Sequence, residues 1–169
     1  ISIRRPLIVT DAGVRAAGLV DRVLARLPDA SAVAVFDRTP SNPNEAAVRA
    51  AVAMFLAQRC DGVIAVGGGS SIDLAKGVAV CGTHEGPLKG FALIEGGLAR
   101  ISAATAPVIA IPTTAGTGSE VGRGAVLILD DGRKVGMISA HVVPKVAICD
   151  PDLTLDLPAK LTAATGMDA

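Results

Sequence analysis

Short apolar runs recur along the chain at intervals that suit alternating strands and helices. They are PLIVTD (6–11), AVAVFD (32–37), GVIAVG (62–67), PVIAIPTT (107–114) and KVAICDP (145–151). Each is apolar on both faces, the pattern of parallel strands covered on both sides. Helical periodicity fills the gaps. Residues 13–27 place Val14, Ala17, Leu19 or Val20, Val23, Leu24 and Leu27 on one side, and Pro28 stops the helix. Residues 44–59 follow Pro43, with Asn44 as N-cap and Val48, Val52, Phe55 and Leu56 on one face. A third helix is predicted over 70–81, entered through Ser70 or Ser71. Strand and helix in this order predict an α/β parallel sheet with right-handed crossovers. The stretch 122–140 breaks the rhythm, with Asp131-Gly132 between two strand-like runs. That predicts an antiparallel hairpin attached to the sheet. The last residues, LPAKLTAATGMDA, predict one helix start and the beginning of another.

Composition narrows the class. Half of the 169 residues are hydrophobic, but the aromatics are three Phe, so Ala, Val, Ile and Leu must build the core. The 16 basic and 16 acidic residues cancel, leaving no basic field for nucleic acid and no polybasic membrane patch. No apolar run approaches the roughly 18 residues that span a bilayer. The N-terminus lacks the features of a signal peptide. It also lacks an initiator Met and runs almost at once into a strand, so further residues are expected before Ile1. Cys60, Cys81 and Cys149 fit neither a disulfide framework nor a metal spacing; buried thiols in a reducing cytoplasm are expected.

The candidate chemistry lies where the third strand turns into its helix, at Gly67, Gly68 and Gly69. Missing Cβ atoms let a ligand approach the main chain, and free N–H groups at a helix start favour an anion. A phosphate or pyrophosphate is the natural guest, with Ser70 and Ser71 as hydroxyl donors and Asp73 in the first turn. A tight turn that binds nothing is the alternative. The motif is neither G-x-G-x-x-G nor the Walker sequence. A second polar loop, IPTTAGTGSEVG (111–122), follows the fourth strand, and Asp11 ends the first. Loops at the carboxyl ends of neighbouring strands line one crevice. Asp11 there can accept from a ribose hydroxyl and repel a 2′-phosphate, or cap the helix that follows; the two roles are compatible.

Taken together, VTD (9–11), NP (42–43), GGGSSIDLAK (67–76), PTTAGTGSEV (112–121), Lys134, DP (150–151) and TAATGMDA (162–169) resemble the iron-containing (group III) alcohol dehydrogenases, in their N-terminal nucleotide-binding half. The resemblance implies a Rossmann-like domain over 1–160 and, from 161–169 onward, the start of an all-helical second domain. It implies an oxidoreductase that moves a hydride between an alcohol, aldehyde or ketone and NAD, with NADP possible. Asp11, Asn42, Gly68, Gly69, Ser70, Asp73, Thr113, Thr114, Thr117, Lys134 and Leu153 are the cofactor positions it implies. Asp11 would face the adenosine ribose, Gly68, Gly69, Ser70 and Asp73 the pyrophosphate, and Lys134 the nicotinamide ribose. Family members bind a divalent metal, Fe2+ or Zn2+, through one Asp and three His, and Asp168 matches that Asp. The first of those His would fall after Ala169, so the chain is expected to be a fragment with little dehydrogenase activity alone. A small-molecule substrate, homo-oligomers and a cytoplasmic location belong to the same expectation.

One departure is local. Gly122 and Arg123 follow SEV where many relatives have Thr; Arg123 would meet a substrate carboxylate or be an ordinary exposed arginine. His84 and His141 match no metal position and are expected at the surface. Three other readings stay open: a maleylacetate reductase-like enzyme, a hydroxyacid-oxoacid transhydrogenase-like enzyme, and a non-catalytic nucleotide-binding module.

Overall fold

The structure is a computed structural model and describes residues 2–169. Seven strands and five α-helices are described: β1 (Pro6–Val9), α1 (Ala12–Ala16), α2 (Leu19–Leu24), β2 (Ala34–Phe36), α3 (Glu45–Ala57), β3 (Gly62–Gly67), α4 (Gly69–Cys81), β4 (Val108–Pro112), β5 (Gly124–Ile128), β6 (Lys134–Ile138), β7 (Val146–Ala147) and α5 (Ala159–Gly166). Five strands form a parallel sheet in the order β2-β1-β3-β4-β7. β1 and β3 are buried along their whole length, as their two-sided apolar sequences require. Alternate side chains feed two cores. Leu7, Val9, Val63 and Ala65 pack with α3, α4 and the hairpin, whereas Ile8, Ile64 and Val66 pack with α2 and Leu153.

The hairpin β5–β6 forms a separate two-stranded antiparallel sheet rather than an extension of the parallel one. Gly132 turns it with φ +85°, the left-handed geometry that Asp-Gly supplies. The helix expected over 13–27 is two helices. Gly18 at φ +73° separates them, because the chain must turn there to lay Leu19 and Val20 on the sheet. In α3 the buried stripe is Val48, Ala51 and Phe55, and Leu56 points to solvent at 58% exposure. Asn44 caps α3 as expected, its Oδ1 accepting from Ala47 N–H at 2.9 Å. α4 begins one residue earlier than expected, with Gly68 as N-cap. Asp73 therefore sits in its second turn.

The segment between α4 and β4 carries short 3-10 turns at Leu88–Phe91, Leu93–Glu95 and Gly97–Arg100. His84, expected at the surface, is a half-buried clip for it. Ser102 N–H donates to Nε2 at 3.0 Å, which leaves Nδ1 to donate to the Val80 carbonyl at 3.1 Å. The ring also meets Phe91 edge-on. His141 is exposed, as expected.

The thiols differ from expectation. Cys60 and Cys81 are half-buried, and Cys149 is exposed because it follows the two-residue edge strand β7. Burial pushes the Cys81 thiol from 9.0 up to about 12. Between those values the folded chain keeps a proton that the unfolded chain releases, so stability must fall as pH rises. The slope is about 1.4 kcal/mol per pH unit. Denaturant unfolding at pH 8 and 10.5 should show a markedly shallower loss for Cys81→Ala than for the unsubstituted chain.

Candidate dinucleotide site

After β1 the chain moves outward to β2, then crosses back to β3 on the other side of β1. The switch point therefore lies between β1 and β3, where open α/β sheets bind ligands. Asp11 and Gly67–Gly69 stand on either side of it. Asp11 Oδ1 accepts from Gly13 and Val14 N–H at 2.9 and 3.0 Å, so the carboxylate does cap α1. Gly67 has φ +147°, and a Cβ there would stand 2.6 Å from Ser71 Oγ.

The N-terminus of α4 has no side-chain cap. Its first N–H groups are free to meet a ligand, and the helix dipole adds partial positive charge. Cβ atoms built on Gly68 and Gly69 would stand 3.1 Å from Thr114 Oγ1 and from Thr117 Cγ2. The two glycines thus let the 113–119 loop close over the helix start. Ser70 Oγ donates to the Ser41 carbonyl at 2.6 Å, tying this helix start to the loop after β2.

A cavity of about 790 Å³ opens here. Of the residues expected to hold a cofactor, Asp11, Gly68, Gly69, Ser70, Thr113, Thr114, Thr117 and Leu153 line it together. Asn42, Asp73 and Lys134 are not on its wall. Asn42 is exposed beside Ser41, which is on the wall. Lys134 is exposed at the start of β6. Asp73 is turned away because its position in the second turn of α4 aims the carboxylate at β5, where it accepts from Val126 N–H at 3.0 Å. Arg123 is exposed and also off the cavity wall. Thr39, Pro40 and Ser41 were missed by sequence reasoning, as were Leu157, Leu161 and Thr165 near or within α5. Leu157 and Leu161 carried a faint signal, being apolar and four apart.

The cavity suits a dinucleotide by size and by its mixture of an apolar wall with a few polar groups. The metal fits less well. Among the described residues no group of three or more His, Cys, Asp or Glu is placed to hold an ion. Asp168 supplies one exposed carboxylate near Gly116, and one carboxylate does not hold a divalent cation. Among the same residues no helix is long and apolar enough to cross a membrane.

Sheet order, switch-point cavity and uncapped glycine-rich helix start place the chain among the open, Rossmann-like α/β domains. The sequence model of the iron-containing alcohol dehydrogenases matches residues 1–151, and the chain belongs to that family. It is 64% identical over 169 residues to the 4-hydroxybutyrate dehydrogenase of Cupriavidus necator, covering 100% of this chain and 44% of that protein. It superposes on a crystal structure of 1,3-propanediol oxidoreductase with TM-score 0.91 and 42% identity, over 98% of this chain and 43% of the other. Sulfoacetaldehyde reductase from Bifidobacterium kashiwanohense, solved in complex with NAD+, gives TM-score 0.86 and 34% identity, over 98% and 43%. The chain thus spans less than half the length of these relatives.

Proposed function

We propose that this chain is the dinucleotide-binding part of an NAD-dependent dehydrogenase acting on a small alcohol or its aldehyde or ketone. The observation that carries the reading is the uncapped start of α4 opening into the switch-point cavity beside Asp11. When bound, the dinucleotide supplies hydride exchange with the alcohol carbon. The chain's own residues bind and orient it. N–H groups at Gly69 to Ser71 receive the diphosphate. Asp11 Oδ2, which takes only a long hydrogen bond of 3.4 Å from Ser71 Oγ, offers an acceptor for a ribose hydroxyl while Oδ1 caps α1. Thr113, Thr114 and Thr117 close the polar side, and Leu153, Leu157 and Leu161 the apolar side. Asn42 and Lys134 belong to the proposal as groups that reach the cofactor from beside the cavity. Asp168 would contribute one carboxylate to a metal completed by other residues. Homo-oligomers and a cytoplasmic location accompany this reading.

NADH titration, followed by nicotinamide fluorescence with ADP-ribose as competitor, tests it. Binding at micromolar concentration is expected; no binding of either ligand at millimolar concentration overturns it. Asp11→Ser separates the two roles of Asp11, because serine retains an N-cap acceptor but removes the charge. The preference for NADH over NADPH should fall about tenfold, roughly 1.4 kcal/mol, with little change in unfolding temperature. An unchanged preference would show that Asp11 only caps the helix.

A further inference from the structure

β5 pairs along one edge with β6, and among the described residues no strand is laid along its other edge beyond a single bridge from Ile128 to Asn44. Side chains and loop atoms meet that edge instead. Lys76 Nζ donates to the carbonyls of Gly122 and Gly124 at 2.9 and 2.6 Å. Val126 N–H donates to Asp73 Oδ2 at 3.0 Å. Ile128 N–H donates to the Pro43 carbonyl at 2.9 Å, and Asp130 N–H to Glu45 Oε2 at 3.0 Å. Every second residue from 122 to 130 is therefore engaged, as one edge of a strand requires.

Two of these partners, Asp73 and Lys76, are one helical turn apart on α4. Lys76 is fully buried. Burial lowers its pKa, opposed by the charge of Asp73; burial raises that of Asp73, opposed by the Val126 N–H. Hydrocarbons in their place would leave the Gly122 and Gly124 carbonyls and the Val126 N–H without these partners, so packing alone does not account for the two side chains. What the pair holds is the far end of a cavity loop. That loop starts where Thr113 N–H donates to the Gly67 carbonyl at 3.0 Å. It passes over Gly68 and Gly69 with Thr114 and Thr117, and it reaches Lys76 at Gly122. The same helix thus touches the loop at its glycine-rich start and again at Asp73 and Lys76.

We propose that Asp73 and Lys76 are positioning residues that clamp segment 113–126 onto α4, and so set where Thr114 and Thr117 stand over the helix start. The link to ligand binding rests on the dinucleotide reading above; the clamp itself does not.

Amide hydrogen exchange on the whole chain, with NADH titration, tests the clamp in Asp73→Leu, Asp73→Asn and Lys76→Met. Leucine and asparagine have nearly the shape of aspartate, but only asparagine offers an oxygen to Val126. Exchange at Val126 should quicken more than about tenfold in Asp73→Leu and Lys76→Met, and less than about threefold in Asp73→Asn. Ile64 and Ala65 in β3 should keep their protection in all three. NADH affinity should fall about tenfold in Asp73→Leu and Lys76→Met. A packing role predicts the reverse order, with leucine tolerated better than asparagine. Equal behaviour of the two Asp73 variants overturns the proposal, as does loosening of β3 together with the hairpin. If the unsubstituted chain binds no NADH, the dinucleotide reading fails, and exchange at Val126 still judges the clamp.

Discussion

Gly69→Val is expected to abolish dinucleotide binding, weakening NADH affinity at least about 100-fold, roughly 2.7 kcal/mol, while the fold survives. Gly69 is the first residue of α4, and its φ is not left-handed, so valine meets no backbone strain there. Even its Cβ would stand 3.1 Å from Thr117 Cγ2 and 3.4 Å from Ser119 Oγ. Two further methyl groups must then either push the 113–119 loop outward or fill the space over the free N–H groups. Each hydrogen bond from those groups to a charged phosphate is worth about 1.5–3 kcal/mol, so losing one or two accounts for the effect. Stability should move little, because removing glycine from a helix gains up to about 1 kcal/mol and offsets the crowding of Thr117. Gly69→Ala, which adds only the Cβ, should weaken binding about tenfold or less. Isothermal titration and thermal unfolding of the two variants separate the effects. A Gly69→Val chain that binds NADH normally would remove the start of α4 from the site.

The glycine loop was legible because a rare local sequence marks it, and the strands were legible because burial on both faces leaves unbroken apolar runs. β3 matches its expected span residue for residue, Gly62 to Gly67. β7 does not. Only Val146 and Ala147 pair in register with β4; Ile148 N–H still donates to the Ala110 carbonyl at 2.8 Å, and the chain then leaves the sheet edge. The break at Gly18 was hidden because apolar spacing continues through it; the left-handed residue, not the pattern, divides the helix. Within the site, residues at strand ends and helix starts could be found from sequence order alone. Thr39 to Ser41 and the α5 wall could not, because their part in the cavity depends on how distant loops fold over it. Asp73 shows the opposite case: it belongs to the glycine motif in sequence, yet the phase of α4 turns it toward the hairpin. Lys76 lies in the same motif, and only the packed structure reveals that it holds Gly122 and Gly124.

The least legible stretch, 82–106, should also respond sharply to a single methyl group. Gly97→Ala is expected to cost about 3 kcal/mol of stability, a fall of roughly 10 °C in Tm. A Cβ at Gly97 would stand 2.1 Å from the carbonyl carbon of Phe91 and 2.2 Å from its oxygen, and backbone atoms cannot turn aside as a side chain does. Either the Gly97 N–H to Ala92 carbonyl bond at 2.9 Å breaks, or Phe91 leaves its buried place against His84. Gly96→Ala is the matched control. Gly96 has φ +75° but nothing within 4 Å of its Cβ position, so only backbone strain of about 1 kcal/mol applies. The contrast separates two reasons for a glycine that the sequence, written simply as Gly-Gly, cannot tell apart: a backbone angle at Gly96 and a close approach of two chain segments at Gly97. Denaturant unfolding of both variants measures it. Equal losses would mean that the 3-10 turns shift easily and that the Phe91 contact contributes little to holding 82–106 against α4.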